Sequence, residues 1–195
     1  MPFVSRIAER SQLSAAEYLE WERNEPRRHE FFWGEVFAVA GGSPRHNALC
    51  SRVNAALRLA LGGRGCEAFS SDQRIGVGPG ERYVYPDVSV VCGQVALEAG
   101  TTDVIANPAL VVEVLSASTE QYDRGVKWEG YQRLESLADY VLVSQSEPRI
   151  EHFGREAGGS WIYRSFGAGQ RVMLKQGIEL DTDAIFAAAF ELPGD

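Results

Sequence analysis

Ala109-Leu110-Val111-Val112-Glu113-Val114-Leu115 is the most apolar short segment of the chain, and it carries one carboxylate. A Val-rich run of this length behind Pro108 reads as a strand covered on both faces. Carboxylates are almost never fully buried unless they are paired or bind a cation. Glu113 therefore demands a compensator, and the flanking sequence is where to look for it.

Downstream, Ser116-Ala117-Ser118 reads as a turn and Thr119 to about Leu134 as a helix. Asp123, Lys127 and Tyr131 follow one another at intervals of four, so a helix sets them along one stripe. That stripe can face the end of the Glu113 strand. The same spacing also describes an exposed Asp–Lys pair on a surface helix. Upstream, Tyr85-Pro86-Asp87-Val88-Ser89-Val90-Val91 places a second acid on an apolar strand running from Tyr83 to Cys92. Pro86 cannot donate to a ladder and marks an edge or a strand entrance, where Asp87 also reads as an ordinary turn residue.

The outer segments fill in a mixed pattern. Ser14-Ala-Ala-Glu17 is a capping box for a helix that Pro26 ends. His29–Phe32 and Val36–Ala40 form a hairpin about Gly34. Ser43 caps a helix with Pro44 at its first position, and Leu49, Val53, Leu57 and Leu61 recur at helical spacing. Cys66–Ser70 and Gln73–Val77 read as strands, as do Asp139–Val143, Arg149–Phe153 and Trp161–Phe166. A short helix is expected near Asp183–Phe190. The fold class is α/β, a mixed sheet with flanking helices and extra C-terminal strands. The chain reads as a single domain over 1–195, with its core at about 12–190.

Composition narrows the function classes. The 195 residues suit one domain with a real core, 45% hydrophobic and 24% charged. No apolar stretch approaches the roughly 20 residues that span a bilayer, so no membrane partner is expected. Met1–Arg10 lacks the apolar stretch of a signal peptide. Cys50, Cys66 and Cys92 are widely spaced with no Cys-x-x-Cys pair, which argues against a disulfide framework or zinc knuckle and for a reducing cytoplasm. The net charge of −8 excludes a broadly basic nucleic-acid binder. It leaves room for a nuclease, whose metal-binding acids add negative charge. Gly76-x-Gly-Pro-Gly80 is not a dinucleotide fingerprint, because Pro79 and the missing helix start spoil it.

Two carboxylates on separate strands with a lysine nearby are what metal-assisted phosphodiester hydrolysis needs. Magnesium takes hard oxygen ligands, binds one or two carboxylates and keeps waters and substrate phosphate. The lysine positions or deprotonates the attacking water and neutralises developing charge. Glu113 and Lys127 also read as a structural ion pair.

Pro86-Asp87, Glu113-Val114-Leu115 and Lys127 together resemble the PD-(D/E)XK restriction-endonuclease-like superfamily. More narrowly, the chain resembles the bacterial Uma-two family. His29-Glu30-Phe31-Phe32-Trp33-Gly34-Glu35 is similar to that family's first block and Ser43-Pro44-Arg45-His46 to its second. Glu113-Val-Leu-Ser116-Ala-Ser-Thr119, Asp123-Arg124, Lys127 and Tyr131 are similar to its last. The blocks run in family order over nearly the whole chain. The resemblance implies a restriction-endonuclease-like core and a Mg²⁺- or Mn²⁺-dependent endonuclease acting on DNA. It implies that Asp87 and Glu113 hold the metal, that Lys127 positions the water and that Glu30 assists.

His46 would touch substrate phosphate or orient Glu30 or Asp87, and Tyr131 would hydrogen-bond a catalytic carboxylate or Lys127. As ordinary residues these would be a hairpin acid, a structural histidine and a packed tyrosine. Two departures stand out. The superfamily's Glu-x-Lys lysine would fall at position 115, which is Leu115, so the resemblance implies that Lys127 replaces it from the next helix. The usual proline in the Ser116 turn is Ala117. A homodimer is implied by analogy alone. The rival reading is a non-catalytic binding or assembly module on the same fold.

Overall fold

A computed structural model describes residues 8–195. The first residues of the expected single-domain span, and most of the Met1–Arg10 stretch read as leaderless, lie outside the described residues. The strands are β1 His29–Phe32, β2 Glu35–Ala38, β3 Cys66–Ser70, β4 Arg74–Gly76, β5 Arg82–Val84, β6 Val88–Cys92 and β7 Val104–Ile105. They continue as β8 Leu110–Val114, β9 Asp139–Val143, β10 Ile150–Arg155, β11 Trp161–Phe166, β12 Arg171–Met173 and β13 Glu179–Asp181. The helices are α1 Ala15–Glu22, α2 Pro44–Leu61, a composite α3 over 120–131 and α4 Thr182–Phe186. The mixed α/β class expected from the pattern is the one observed.

Two sheets organise the chain. A six-stranded sheet runs β11-β10-β9-β8-β6-β3, and a five-stranded sheet runs β2-β1-β5-β4-β7. β8 and β9 are parallel and are joined through α3, as a parallel pair requires a crossover. All five residues of β8 are buried. Leu110, Val112 and Val114 enter a core built on α2 and α4. Val111 and Leu115 enter the opposite core, with Tyr131, Tyr140 and Leu142. Each fully buried Val or Leu contributes about 1.5–3 kcal/mol of transfer free energy. Glu113 shares the face of Val111 and Leu115, so it points toward α3.

Pro86 does more than interrupt a strand. The predicted Tyr83–Cys92 strand is two: β5 belongs to the five-stranded sheet and β6 to the six-stranded one. A proline without an N–H lets the chain leave one ladder before entering the next. Asp87 sits where β6 begins. The β6–β8 register pairs Val88 with Val112, so Asp87 and Glu113 are the next residues along the two adjacent strands.

Caps read from sequence are present. Ser14 and Glu17 form the reciprocal capping box of α1. Ser43 caps α2 by accepting from the His46 N–H, with Pro44 at its first position. The expected helix from Thr119 to Leu134 is shorter and irregular. Glu120–Tyr122 and Trp128–Tyr131 are α-helical, but Asp123–Lys127 is a π turn. Such bulges carry no periodicity signal in a five-residue window, and they occur often at functional sites. The strands β7, β12 and β13, only two or three residues long, were not predicted because an alternating pattern needs more residues to show.

The cysteine reading needs a correction. Cys66 and Cys92 are direct partners across the antiparallel β3–β6 pair and form a disulfide. Cys50 is free. Sequence spacing reveals only local cysteine pairs, and this bridge joins residues 26 apart that meet only by strand register. No helix among the described residues is long and apolar enough to cross a membrane.

Candidate active site

β1, β6, β8, α2 and α3 each bring a polar side chain to one cleft of about 290 Å³, lined by Glu30, His46, Asp87, Glu113, Asp123 and Lys127. The lysine is the hub. Its Nζ lies 3.0 Å from Glu113 Oε1, 3.2 Å from Glu30 Oε1 and 3.3 Å from Asp123 Oδ1. Lys127 is 9% exposed and Asp123 2%. The surface-pair reading of this i,i+4 spacing is therefore excluded. The hairpin acid Glu30 is buried too, at 2%.

Tyr131 lies behind the cleft and donates its hydroxyl to Glu113 Oε1 at 2.8 Å. One Glu113 oxygen thus takes both Lys127 and Tyr131, and among the described residues no donor reaches Oε2. Asp87 is held as well. Its Oδ2 accepts the Val114 N–H at 2.8 Å and lies 3.4 Å from His46 Nε2, and the Cys50 thiol lies beside the same carboxylate. Glu113 thus keeps one oxygen without a protein donor among the described residues, and Asp87 lies next to it on the neighbouring strand.

The local electrostatics follow from crowding. Burial drives the Glu113 carboxyl well above its ordinary range; Lys127 opposes that, and Asp123, Asp87 and Glu30 add to it. Burial likewise raises Asp123, against the pull of Lys127. Burial would lower Lys127, but Glu113, Glu30 and Asp123 together hold its ammonium well above the usual lysine value. Burial pushes Asp87 up, yet the hydrogen bond and charge of His46, the Val114 N–H and Lys127 bring it below its ordinary value. His46 is raised in return: burial opposes its charge, and Asp87 and Asp195 overcome that. Glu30, Glu113 and Asp123 outnumber the one ammonium of Lys127, so ionising all three is opposed, and further cationic charge would favour it.

The π turn is held from outside. Arg82 donates to the Val126 carbonyl at 2.8 Å. Arg124, between Asp123 and Lys127, makes a two-pronged pair with Glu151 on β10, both bonds at 2.7 Å. The Arg124 hydrogen bond, working against burial, holds Glu151 below its ordinary value of 4.5. A depressed folded-state value contributes stability above the unfolded value, and that contribution is lost as pH falls through the folded value. Glu151→Gln is therefore expected to destabilise by about 1.5–3 kcal/mol at neutral pH, the range for hydrogen bonds to charged groups. The gap to wild type should narrow below pH 4.5 in thermal melts. A gap that stays constant down to the acid transition would refute the assignment.

The sequence reading placed Glu30, His46, Asp87, Glu113, Lys127 and Tyr131 as candidates, and the structure brings all six to this cleft or its wall. It adds two. Asp123 is a third carboxylate on the lysine hub, set by its spacing on the same helical stripe as Lys127 and Tyr131. Cys50 lies one helical turn beyond His46, with Sγ 3.5 Å from Nδ1, and had only that i,i+4 spacing as a signal.

Comparison with known proteins agrees with this layout. Residues 15–187 match the Uma2 family, described as "Putative restriction endonuclease". Two proteins of Synechocystis sp. are similar along most of their length. "Uncharacterized protein slr1290" is 38% identical over 90% of this chain and 92% of its own. "Uncharacterized protein sll1609" is 34% identical over 80% of this chain and 88% of its own. The crystal structure of a "putative nuclease" from Anabaena variabilis superposes with a TM-score of 0.72 at 15% identity, covering 91% of this chain and 99% of that one. At that identity the likeness speaks for a shared fold, the restriction-endonuclease-like core. With the family matched along most of its length and the fold shared, the chain belongs to the Uma-two family.

Proposed function

We propose that this protein is a divalent-cation-dependent endonuclease that hydrolyses phosphodiester bonds of DNA. The observation that carries the reading is the pair Asp87 and Glu113, adjacent on neighbouring strands beside a buried lysine, with Glu113 Oε2 reached by no described donor. The family description and the nuclease title of the Anabaena protein agree with it.

The residues fit Mg²⁺ or Mn²⁺. The donors at the cleft are hard carboxylate oxygens, and there are more carboxylates than the one ammonium of Lys127 can balance when ionised. Two protein carboxylates suit an ion that keeps waters and substrate phosphate as its other ligands. Asp87 and Glu113 would hold it, and it would supply charge stabilisation at the scissile phosphate and a more acidic water.

The chain's own groups do the rest. Lys127 stays an ammonium, so it serves as a donor, orienting the attacking water and offsetting charge on the phosphate. The water's proton goes to a carboxylate rather than to this lysine. Glu30, Glu113 and Asp123 hold the ammonium in place from three directions. Tyr131 fixes the Glu113 rotamer, and His46 with the Val114 N–H fixes Asp87. We also read the chain as a single domain; a cytoplasmic location would require the Cys66–Cys92 bridge to persist in a reducing compartment.

The test is nicking of supercoiled plasmid with Mg²⁺ or Mn²⁺ by wild type and Asp87→Ala. The variant should lose at least about 10²–10³-fold in rate, the scale of one electrostatic contact to a transition state. Equal rates in the two proteins would sink the reading, and so would a well-folded wild type that leaves DNA intact with both metals. Those outcomes would favour a binding module in which Lys127 and Glu113 are a structural pair.

A further inference from the structure

We propose that His46, Cys50 and Asp87 form a second cation site, selective for a thiophilic ion such as Zn²⁺, that shares Asp87 with the acidic pair. Among the described residues this is the group of three possible ligands that come together, with one ligand atom of each within 4.8 Å of the others. His46 and Cys50 are i,i+4 on α2 and so share a face of that helix. Asp87 reaches the same point from the start of β6.

The distances are close to what zinc needs. In a tetrahedral site with bonds of about 2.0–2.3 Å, ligand atoms lie about 3.3–3.6 Å apart. Here His46 Nε2 is 3.4 Å from Asp87 Oδ2 and 4.0 Å from Cys50 Sγ. Small side-chain movements close the set, leaving a fourth position for water. The imidazole is confined: a Cβ at Gly42 would come within 2.4 Å of His46 Nδ1, so only glycine lets the loop pack on that ring. A nitrogen, a sulfur and an oxygen make a poor site for Mg²⁺ and a good one for Zn²⁺. The two sites therefore discriminate by ligand softness while competing for one carboxylate.

The consequence rests on the nuclease reading above, whereas the site itself does not. Zn²⁺ at His46, Cys50 and Asp87 takes Asp87 away from the Asp87–Glu113 pair, so zinc inhibits magnesium-supported cleavage.

The experiment is a Co²⁺ titration of the full chain, followed by the thiolate-to-cobalt charge-transfer absorption and by back-displacement with Zn²⁺. Wild type should show the band at one equivalent. Cys50→Ser, which keeps side-chain size, should lose the band and bind cobalt more weakly by over about 10–100-fold, the range for losing even an outer-shell partner. Cys66→Ser with Cys92→Ser should keep the band, which separates Cys50 from the disulfide pair. Circular dichroism of each variant checks the fold. No band in wild type, or a band that survives in Cys50→Ser, would overturn the site. Inhibition by zinc should vanish in Cys50→Ser; a cobalt band without zinc inhibition of an active enzyme would overturn the shared use of Asp87. If the protein cleaves no DNA, the cobalt band still decides the site.

Discussion

Replacing Glu113 with Gln is expected to abolish divalent-cation-dependent cleavage and leave the fold at least as stable as the wild type. Gln keeps the shape and an oxygen to accept Lys127 and Tyr131, which now meet at Glu113 Oε1. It removes a charge that burial and three neighbouring carboxylates already oppose. Lys127 retains Glu30 and Asp123 as counterions. A structural reading of the Glu113–Lys127 pair predicts the reverse, because breaking a buried pair by removing one charge costs about 3–5 kcal/mol. The rate should fall by at least about 10²–10³-fold, and Mn²⁺ binding should fall with it. Urea unfolding and metal titration of the same preparation read both halves. A variant that melts early and still binds metal would contradict the account.

Lys127→Met is expected to destabilise the metal-free protein by about 3–5 kcal/mol, because it strands Glu30, Glu113 and Asp123 without their shared cation. At about 2–4 °C per kcal/mol for a chain of this size, the melting temperature should drop by on the order of 10 °C. Saturating Mn²⁺ should restore part of the loss, since the ion binds only the folded state and supplies the missing charge. Cleavage should stay low even with metal bound. Lysine removal thus disturbs both stability and chemistry, so this variant alone cannot separate an enzyme from a binding module; Glu113→Gln can. A Lys127→Met protein as stable as wild type would show that the carboxylates are not compensated by the lysine.

Much of the architecture was legible because each element has its own chemistry. The Val-rich run gave β8, the Ser14 and Ser43 caps gave two helix starts, and Pro86 marked the entrance to β6. The candidate acids could be named because a carboxylate in an apolar strand is costly. What escaped depends on tertiary register. The Cys66–Cys92 bridge exists only because β3 and β6 pair residue for residue. Pro86 was visible as a break, but that the break passes the chain between two sheets was not. The π turn was hidden because it changes hydrogen-bond partners without changing residue types. Asp123 could be placed on the stripe of Lys127 and Tyr131, but the same spacing fits an exposed Asp–Lys pair, and only the burial of α3 against β8 makes it a partner of the buried lysine. Cys50 has no cysteine partner by spacing, and its relevant partner is a histidine one turn away.

The central claim is that Asp87 and Glu113 hold a divalent cation, and anomalous diffraction from crystals soaked in Mn²⁺ tests it most directly. One manganese peak within reach of Asp87 and Glu113 is expected in wild type, and its loss in Glu113→Gln. A wild-type map at saturating Mn²⁺ with no peak at Asp87 and Glu113 would contradict it.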